Sequence, residues 1–521
     1  MSQRTDSISL QSHYDVVIIG SGAGGGTVAD VVTQQAPDAD VLVLEGGPLW
    51  AHESFNERER DMSRLYFGRG SKLSKQLNVG VAAAKAVGGS TTVYTGVSFR
   101  PPDDVLERWR SEFGLGFLTP DFADATLAAI EDDLNVHELP ESWDNDNNRL
   151  FKEGCDALGI PAKRLRINVR DCEELGFCNL GCRVGAKQGT REVQLPRAVG
   201  RGADLVHNAW VDRIGRHEVS FTVSAPPPRT EPNVVPEGEH TVSAGKIVVA
   251  AGALQTPALL KRSEKSLGWT NPTVGRYLTL HPAYNVNGVY PEEITNARGF
   301  PKTWYVDAYS DREGYYLETS FYFPGVTAKN HPHFGAVHEG FMRRYNQMMS
   351  ILILAHDEPH AENRITVDGS GDPVVDYTVT DSVRASLVKG LRRSARIFLA
   401  AGCREMMLPG STKKVLTPSD EPDLERLITT DSLNVHAQPL SSAHPQGGAR
   451  MGTDPTTSVV RPDGRLHGVD SVYVADASLF PTSSKVNPYE TVMLLATHVA
   501  GRVAEHAGVE VSAEEQLYPA G

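Results

Sequence analysis

One stretch limits what this chain can fold into more than any other: YDVVIIGSGAGGGTVADVVTQQAPDADVLVLEGG, residues 14–47. Val16 to Ile19 form a short, β-branched apolar run, the pattern of a strand buried on both faces of a parallel sheet. Gly20, Gly22 and Gly25 follow as G-x-G-x-x-G. The first glycine permits a tight turn, the second lets backbone approach a pyrophosphate, and the third lets the next helix pack on the strand. Ala29, Val32 and Ala36 predict the inner face of that helix. Val41 to Leu44 predict a second strand, ending at Glu45, an acid placed to accept ribose hydroxyls. Strand, loop, helix, strand and acid in this order specify a dinucleotide-binding unit, without distinguishing NAD from FAD.

The chain has 521 residues, 40% of them hydrophobic, which is too long for one ordinary domain and enough for a sizeable core. Its net charge of -14 argues against a nucleic-acid partner, whose phosphates are bound by clustered Lys and Arg. No apolar run is long enough to span a bilayer, and the first residues lack a signal-peptide core. Five cysteines, an odd number, fit free thiols in a reducing compartment better than a disulfide framework, so the cytoplasm is the expected location.

Four further segments carry glycine turns or polar residues at strand ends: AVGGSTTVYTGVSFRPP (86–102), GKIVVAAGALQTPALLKRS (245–263), SAHPQGGARMG (442–452) and DSVYVADASLFPTSSKVNPYE (470–490). Together with the first glycine loop they resemble, in content and order, the glucose-methanol-choline (GMC) family of FAD-dependent alcohol oxidoreductases. The resemblance covers about 14 to 505 and is weakest from 290 to 435, where substrate pockets vary. It implies an α/β fold: a Rossmann-like FAD-binding domain, a doubly wound parallel sheet, with a discontinuous α+β substrate domain built on an antiparallel sheet. The expected division is 10–105, 191–285 and 435–510 for FAD, 106–190 as a cap, and 286–434 for substrate.

The same resemblance makes His444 the active-site histidine and Asn487 its partner, an asparagine shared with cholesterol and long-chain alcohol oxidases where glucose oxidases carry histidine. Histidine is suited to taking the hydroxyl proton as hydride leaves the carbon, and an asparagine amide donates to a developing oxyanion without titrating. His281, in TLHPAYN, is expected to be a packing residue. Glycines 447 and 448 are expected to let backbone run close to the flavin. FAD contacts are expected from Gly20, Gly22, Gly25 and Glu45. Gly88, Gly89 and Ser90 are expected in the second loop, and Val211, Ala251 and Gly252 around the middle strand. The last group is Asp476, Ala477, Asn487 and Pro488.

Family members that bind FAD covalently use a histidine where this chain has Val93, followed by Tyr94, so non-covalent FAD is implied. Thr91, Thr92 and Val93 otherwise read as β-formers. Cys172, Cys178 and Cys182 are expected to be plain thiols, with an iron-sulfur cluster as the alternative and no other metal site. Glu339 falls near the position of an acid on the sterol oxidases' substrate sheet, though a solvated strand residue is the simpler expectation. MMSILILAHDEP and NRITVDGSGDPVVDYTVT predict strands of that sheet, and TDSVRASLVKGLRRSARIFLAAG a capped amphipathic helix. The implied substrate is a small-molecule alcohol, apolar in preference to a sugar, with oxygen or another electron acceptor. A sugar dehydrogenase and a flavin-containing hydroxynitrile lyase are the alternative activities.

Overall fold

The computed structural model describes residues 7–70, 72–294, 296–409, 413–433 and 440–507. The segment boundary expected at 434/435 and the end expected at 510 lie outside them. Two sheets organise the chain. In the first, five strands run parallel in the order Asp204–Val206, Val41–Leu44, His13–Ile19, Gly238–Val249 and Val469–Val474. Val16 to Ile19 are fully buried, as an uninterrupted apolar run in a central parallel strand must be. Along the edge away from His13–Ile19, the strand Gly238–Val249 serves two neighbours. Its first half pairs antiparallel with Glu218–Val223, and Ile247 to Val249 pair with Val472 to Val474.

The helix after the first glycines spans Ala23–Gln35 and packs against Tyr489–His506 and Gln194–Gly200. A Cβ on Gly25 would meet the carbonyl oxygen of Gly20 at 1.9 Å, so close helix–strand packing is the reason for that glycine. Gly24, outside the motif, is equally constrained: its Cβ would meet the Ala475 carbonyl at 1.7 Å. The turn Gly89–Thr92 is a 3-10 helix, against the β expectation for this stretch. Thr91 Oγ1 donates to Gly88 O at 2.6 Å and Thr92 Oγ1 to Val87 O at 2.8 Å, so both hydroxyls hold the turn instead of flanking a ladder.

The second sheet is antiparallel at its centre, running Leu440–Ser442, Ala283–Val289, Met348–Ala355, Tyr315–Thr319, Trp304–Val306 and Lys163–Arg164, with Val79–Val81 and Lys72–Leu73 beyond Leu440–Ser442. Its strands therefore draw on all five expected segments, since Ala283–Val289 crosses the boundary expected at 285/286. Met348–Ala355 is buried along its whole length, between the helices Asp146–Ala157 and Asp381–Ala400 on one side and a cavity on the other. The helix Asp381–Ala400 is capped by Thr380, whose side chain accepts from Val383 N. The hairpin Arg364–Val367/Pro373–Asp376 does not join the large sheet. It forms a two-stranded sheet against the helix Gly252–Arg262, where Arg262 donates to Gly371 O at 2.8 Å. No described helix is long and apolar enough to cross a membrane.

Candidate active site

A cavity of about 1060 Å³ separates the two sheets. On one side it meets the carboxyl ends of the parallel strands, where open α/β sheets bind ligands. Gly20 and Gly22 line it at the first turn, Glu45 at the second strand end, Gly89 and Ser90 at the second loop, and Val211 beside Trp210. Ala251, Gly252, Asp476, Ala477 and Pro488 line it as well, whereas Gly25 and Gly88 lie behind the wall. Gly88 N instead donates to Ser21 Oγ at 3.0 Å, joining the two glycine loops.

Glu45 Oε2 accepts from Ser21 N at 3.1 Å and Ser21 Oγ at 2.6 Å, and Oε1 from Gly47 N at 2.7 Å. Burial pushes its pKa above the usual range against these hydrogen bonds. Asp476 is built alike, accepting from Gly252 N at 2.9 Å, Ser478 N at 2.7 Å and Thr256 Oγ1. A helix N-terminus open to the cavity, with an acid at the next strand end, fits a dinucleotide's pyrophosphate and ribose. Val93 also lines the cavity, and the Tyr94 hydroxyl accepts from Asn168.

The opposite wall carries His281, His444 and Asn487. Leu440–Ser442 inserts between Val79–Val81 and Ala283–Val289, bringing the C-terminal segment back over the cradle. Ser442 Oγ donates to Leu280 O and accepts from His444 N at 3.2 Å, and Gln446 exchanges two 2.9 Å backbone hydrogen bonds with Thr279. Gly447 and Gly448 stand at φ +78° and +97°. A Cβ would meet Tyr277 O at 2.3 Å in the first and Pro257 Cγ at 2.7 Å in the second. Their side-chain positions are blocked by protein segments, and neither glycine lines the cavity.

This stitching sets His444 against His281. Their Nδ1 atoms are 3.1 Å apart, a contact that sequence spacing does not announce. His281 is fully buried at φ +49°, held by Asp357, which accepts from Leu280 N at 2.7 Å and His281 N at 3.0 Å. Burial, followed by the Lys302 charge, pulls His444 down to about 3. Burial and the neighbouring histidines hold His281 well below its ordinary value, so both rings are neutral. Asn487 lines the cavity nearby, and its Oδ1 accepts from the hydroxyl of Tyr316, a fully buried strand residue whose ring packs near His281. Neither Tyr316 nor Lys302 was singled out from sequence. The one available signal for His281 is that it, like His444, precedes proline.

Glu339 is neither on the sheet nor at the cavity. It is exposed on the helix Ala336–Met342 and pairs with Arg343 at 2.6 Å. His338 Nε2 donates to Ala328 O at 2.9 Å, outside the cavity lining. Cys172, Cys178 and Cys182 are free thiols, partly buried, and burial pushes Cys178 up to about 12. Lys187 anchors their loop to the second glycine loop, donating to Cys178 O, Thr92 O and Tyr94 O. Among the described residues no three His, Cys, Asp or Glu are arranged to hold a metal ion.

A dinucleotide cradle facing an antiparallel sheet, with paired histidines and an amide across the cavity, is the arrangement of a dinucleotide-dependent oxidoreductase. Family models described as GMC oxidoreductase match residues 14–283 and 359–496, and the chain belongs to that family, whose cofactor is FAD. It is 33% identical over 502 residues to an uncharacterized GMC-type oxidoreductase of Mycobacterium tuberculosis, covering 95% of this chain and 76% of that one. It is 29% identical over 515 residues to a long-chain-alcohol oxidase of Arabidopsis thaliana, covering 94% and 68%. Among solved structures, pyridoxine 4-oxidase from Mesorbium loti superposes with a TM-score of 0.69 at 19% identity, over 94% of this chain and 98% of that one. Formate oxidase of Aspergillus oryzae gives 0.70 at 15%, over 95% and 99%. The two structures share the fold.

Proposed function

We propose that this protein oxidises a small-molecule alcohol to a carbonyl, with His444 as proton acceptor, Asn487 as hydrogen-bond donor and non-covalently held FAD. Bound FAD supplies the hydride acceptor. The observation that carries the reading is the His281–His444 pair on the wall opposite the cradle. Nδ1 of His444 is committed to His281, so Nε2 is the nitrogen that takes a proton from a molecule in the cavity. A lone pair on Nε2 requires the proton of neutral His444 to sit on Nδ1, donating to His281 Nδ1. With His281 accepting at Nδ1, the pair holds His444 in the tautomer that acts as a base.

Tyr316 does the same for the amide. A buried phenol, its pKa well above the ordinary value, remains a donor, so Oδ1 of Asn487 faces it and Nδ2 is turned away to donate to the alcohol oxygen. Ala283, Leu352, Leu354, Leu440 and Phe323 make much of the substrate wall apolar. That agrees with the long-chain-alcohol oxidase among the relatives, whose name also favours oxygen as the final acceptor. Mixing the purified holoprotein anaerobically with primary and secondary alcohols tests the reading. At least one must bleach the flavin, and a flavin left oxidised by the whole panel would sink it.

A further inference from the structure

The cavity wall formed by the antiparallel sheet is built in rows, because alternate residues of each strand share a face. Tyr316, Leu354 and Ala283 are register partners and make the row at which Asn487 is held. The next row on that face is Glu318, Leu352 and Asn285, two residues further along each strand and so about 7 Å away. Leu352 and Lys302 both line the cavity, whereas Asn285, Glu318 and Tyr316 lie behind its lining.

In this row the polar groups are not paired off. Lys302 is bonded through Nζ to the Glu318 carboxylate, the two side chains being 9% and 0% exposed. An ammonium has three donors, and Glu318 takes one. Glu318 Oε1 and both side-chain polar atoms of Asn285 are buried without a hydrogen-bond partner among the described residues. A buried ion pair is seldom better for stability than well-packed apolar residues, and an unsatisfied buried amide costs stability outright. Lys302 and His444 line the same cavity.

We propose that Lys302, with Glu318 and Asn285 behind it, forms a second polar subsite that binds a neutral substrate oxygen, a hydroxyl or carbonyl, about 7 Å from the carbinol being oxidised. Glu318 already neutralises Lys302, so the subsite favours a neutral oxygen over a carboxylate. The substrate class is then an alcohol with a second oxygen function on an otherwise apolar body. This rests on the alcohol-oxidising reading above.

Anaerobic flavin reduction of the holoenzyme by pentane-1,5-diol and hexane-1,6-diol, against pentan-1-ol and hexan-1-ol, tests it. The diols should show a kcat/KM about 10- to 100-fold higher, the worth of a hydrogen bond to a charged group. The double variant K302M/E318L, which removes both charges together, should bring the diol-to-alkanol ratio close to one. N285L, which leaves the ion pair in place, should lower it in part and serves if the double variant fails to retain FAD. A wild-type ratio near one overturns the subsite while leaving alcohol oxidation standing, as does a ratio unchanged in a folded K302M/E318L protein. If neither alcohols nor diols bleach the flavin, the alcohol-oxidising reading itself has failed and the subsite falls with it.

Discussion

The Nδ1 atoms of His281 and His444 face one another at 3.1 Å across 163 residues of sequence. Two neutral imidazoles in this arrangement share a single proton between the facing nitrogens, and its position decides which nitrogen of His444 is basic. H281N removes the ring while supplying a residue that tolerates positive φ. Flavin reduction should slow, by less than the loss of His444 itself, with FAD content and substrate KM close to wild type. Unchanged reduction in H281N would show that His281 does not set the tautomer.

Replacing His444 by Ala removes the proton acceptor and leaves the dinucleotide cradle untouched. FAD should be retained, and anaerobic reduction should slow by roughly the 10²- to 10⁴-fold typical of a lost general base. Since burial holds His444 near 3, its deprotonation should give no rising limb between pH 5 and 8 in the wild type. A limb there that vanishes in H444A would mean that His444 titrates far above this position.

Y316F deletes the donor that orients Asn487 and should slow reduction about 2- to 10-fold, the range for one neutral hydrogen bond. N487A should cost more, about 10²- to 10³-fold if the amide acts as an oxyanion donor. Because the two side chains work as one unit, Y316F/N487A should be no slower than N487A. Additive losses in the double variant would mean that Tyr316 acts independently.

Acid denaturation should release FAD into the supernatant, since neither Val93 nor Tyr94 can form the histidyl link. Flavin remaining on the precipitated chain would show a covalent bond. Iron analysis of the same sample decides the role of Cys172, Cys178 and Cys182, with stoichiometric iron and sulfide assigning them to a cluster.

Burial pulls His207, His331, His356 and His498 down to about 4, against about 6.5 in an unfolded chain. Folded values below unfolded ones mean stability that is full above pH 6.5 and lost as pH falls toward 4, by up to about 1.4 kcal/mol per pH unit for each group. Asp357 and Glu490, raised to about 6 and about 7 by burial, act in the opposite sense but are fewer. Tm should therefore fall from pH 6.5 to 4.5. His498 stacks on Phe117 with ring centroids 3.5 Å apart and lies outside the cavity lining, so H498Q should make the decline shallower. A slope as steep in H498Q as in wild type would remove His498 from this account.

The dinucleotide unit was legible in the sequence because its determinants are local. A β-branched run, glycines at fixed offsets and an acid after the next apolar run each constrain backbone geometry within a few turns of chain, whatever the rest of the protein does. The structure keeps them as strand His13–Ile19, helix Ala23–Gln35, strand Val41–Leu44 and Glu45. The capped helix Asp381–Ala400 was legible for the same reason. By resemblance, the sequence also singled out His444 and Asn487.

What stands beside those two residues was decided by tertiary packing. Asn487 meets Tyr316 across 171 residues of sequence, and no periodicity or spacing encodes that contact. It follows from the insertion of Leu440–Ser442 into the antiparallel sheet and from the register of Tyr315–Thr319 against Met348–Ala355. The same register places Glu318 and Asn285 one row from Tyr316, while Glu339, conspicuous in sequence, sits on an exposed helix. A side chain's type is local, but which face it occupies depends on strand pairing between distant segments, and a shift of one residue would turn Tyr316, Glu318 and Asn285 to the opposite face of the sheet.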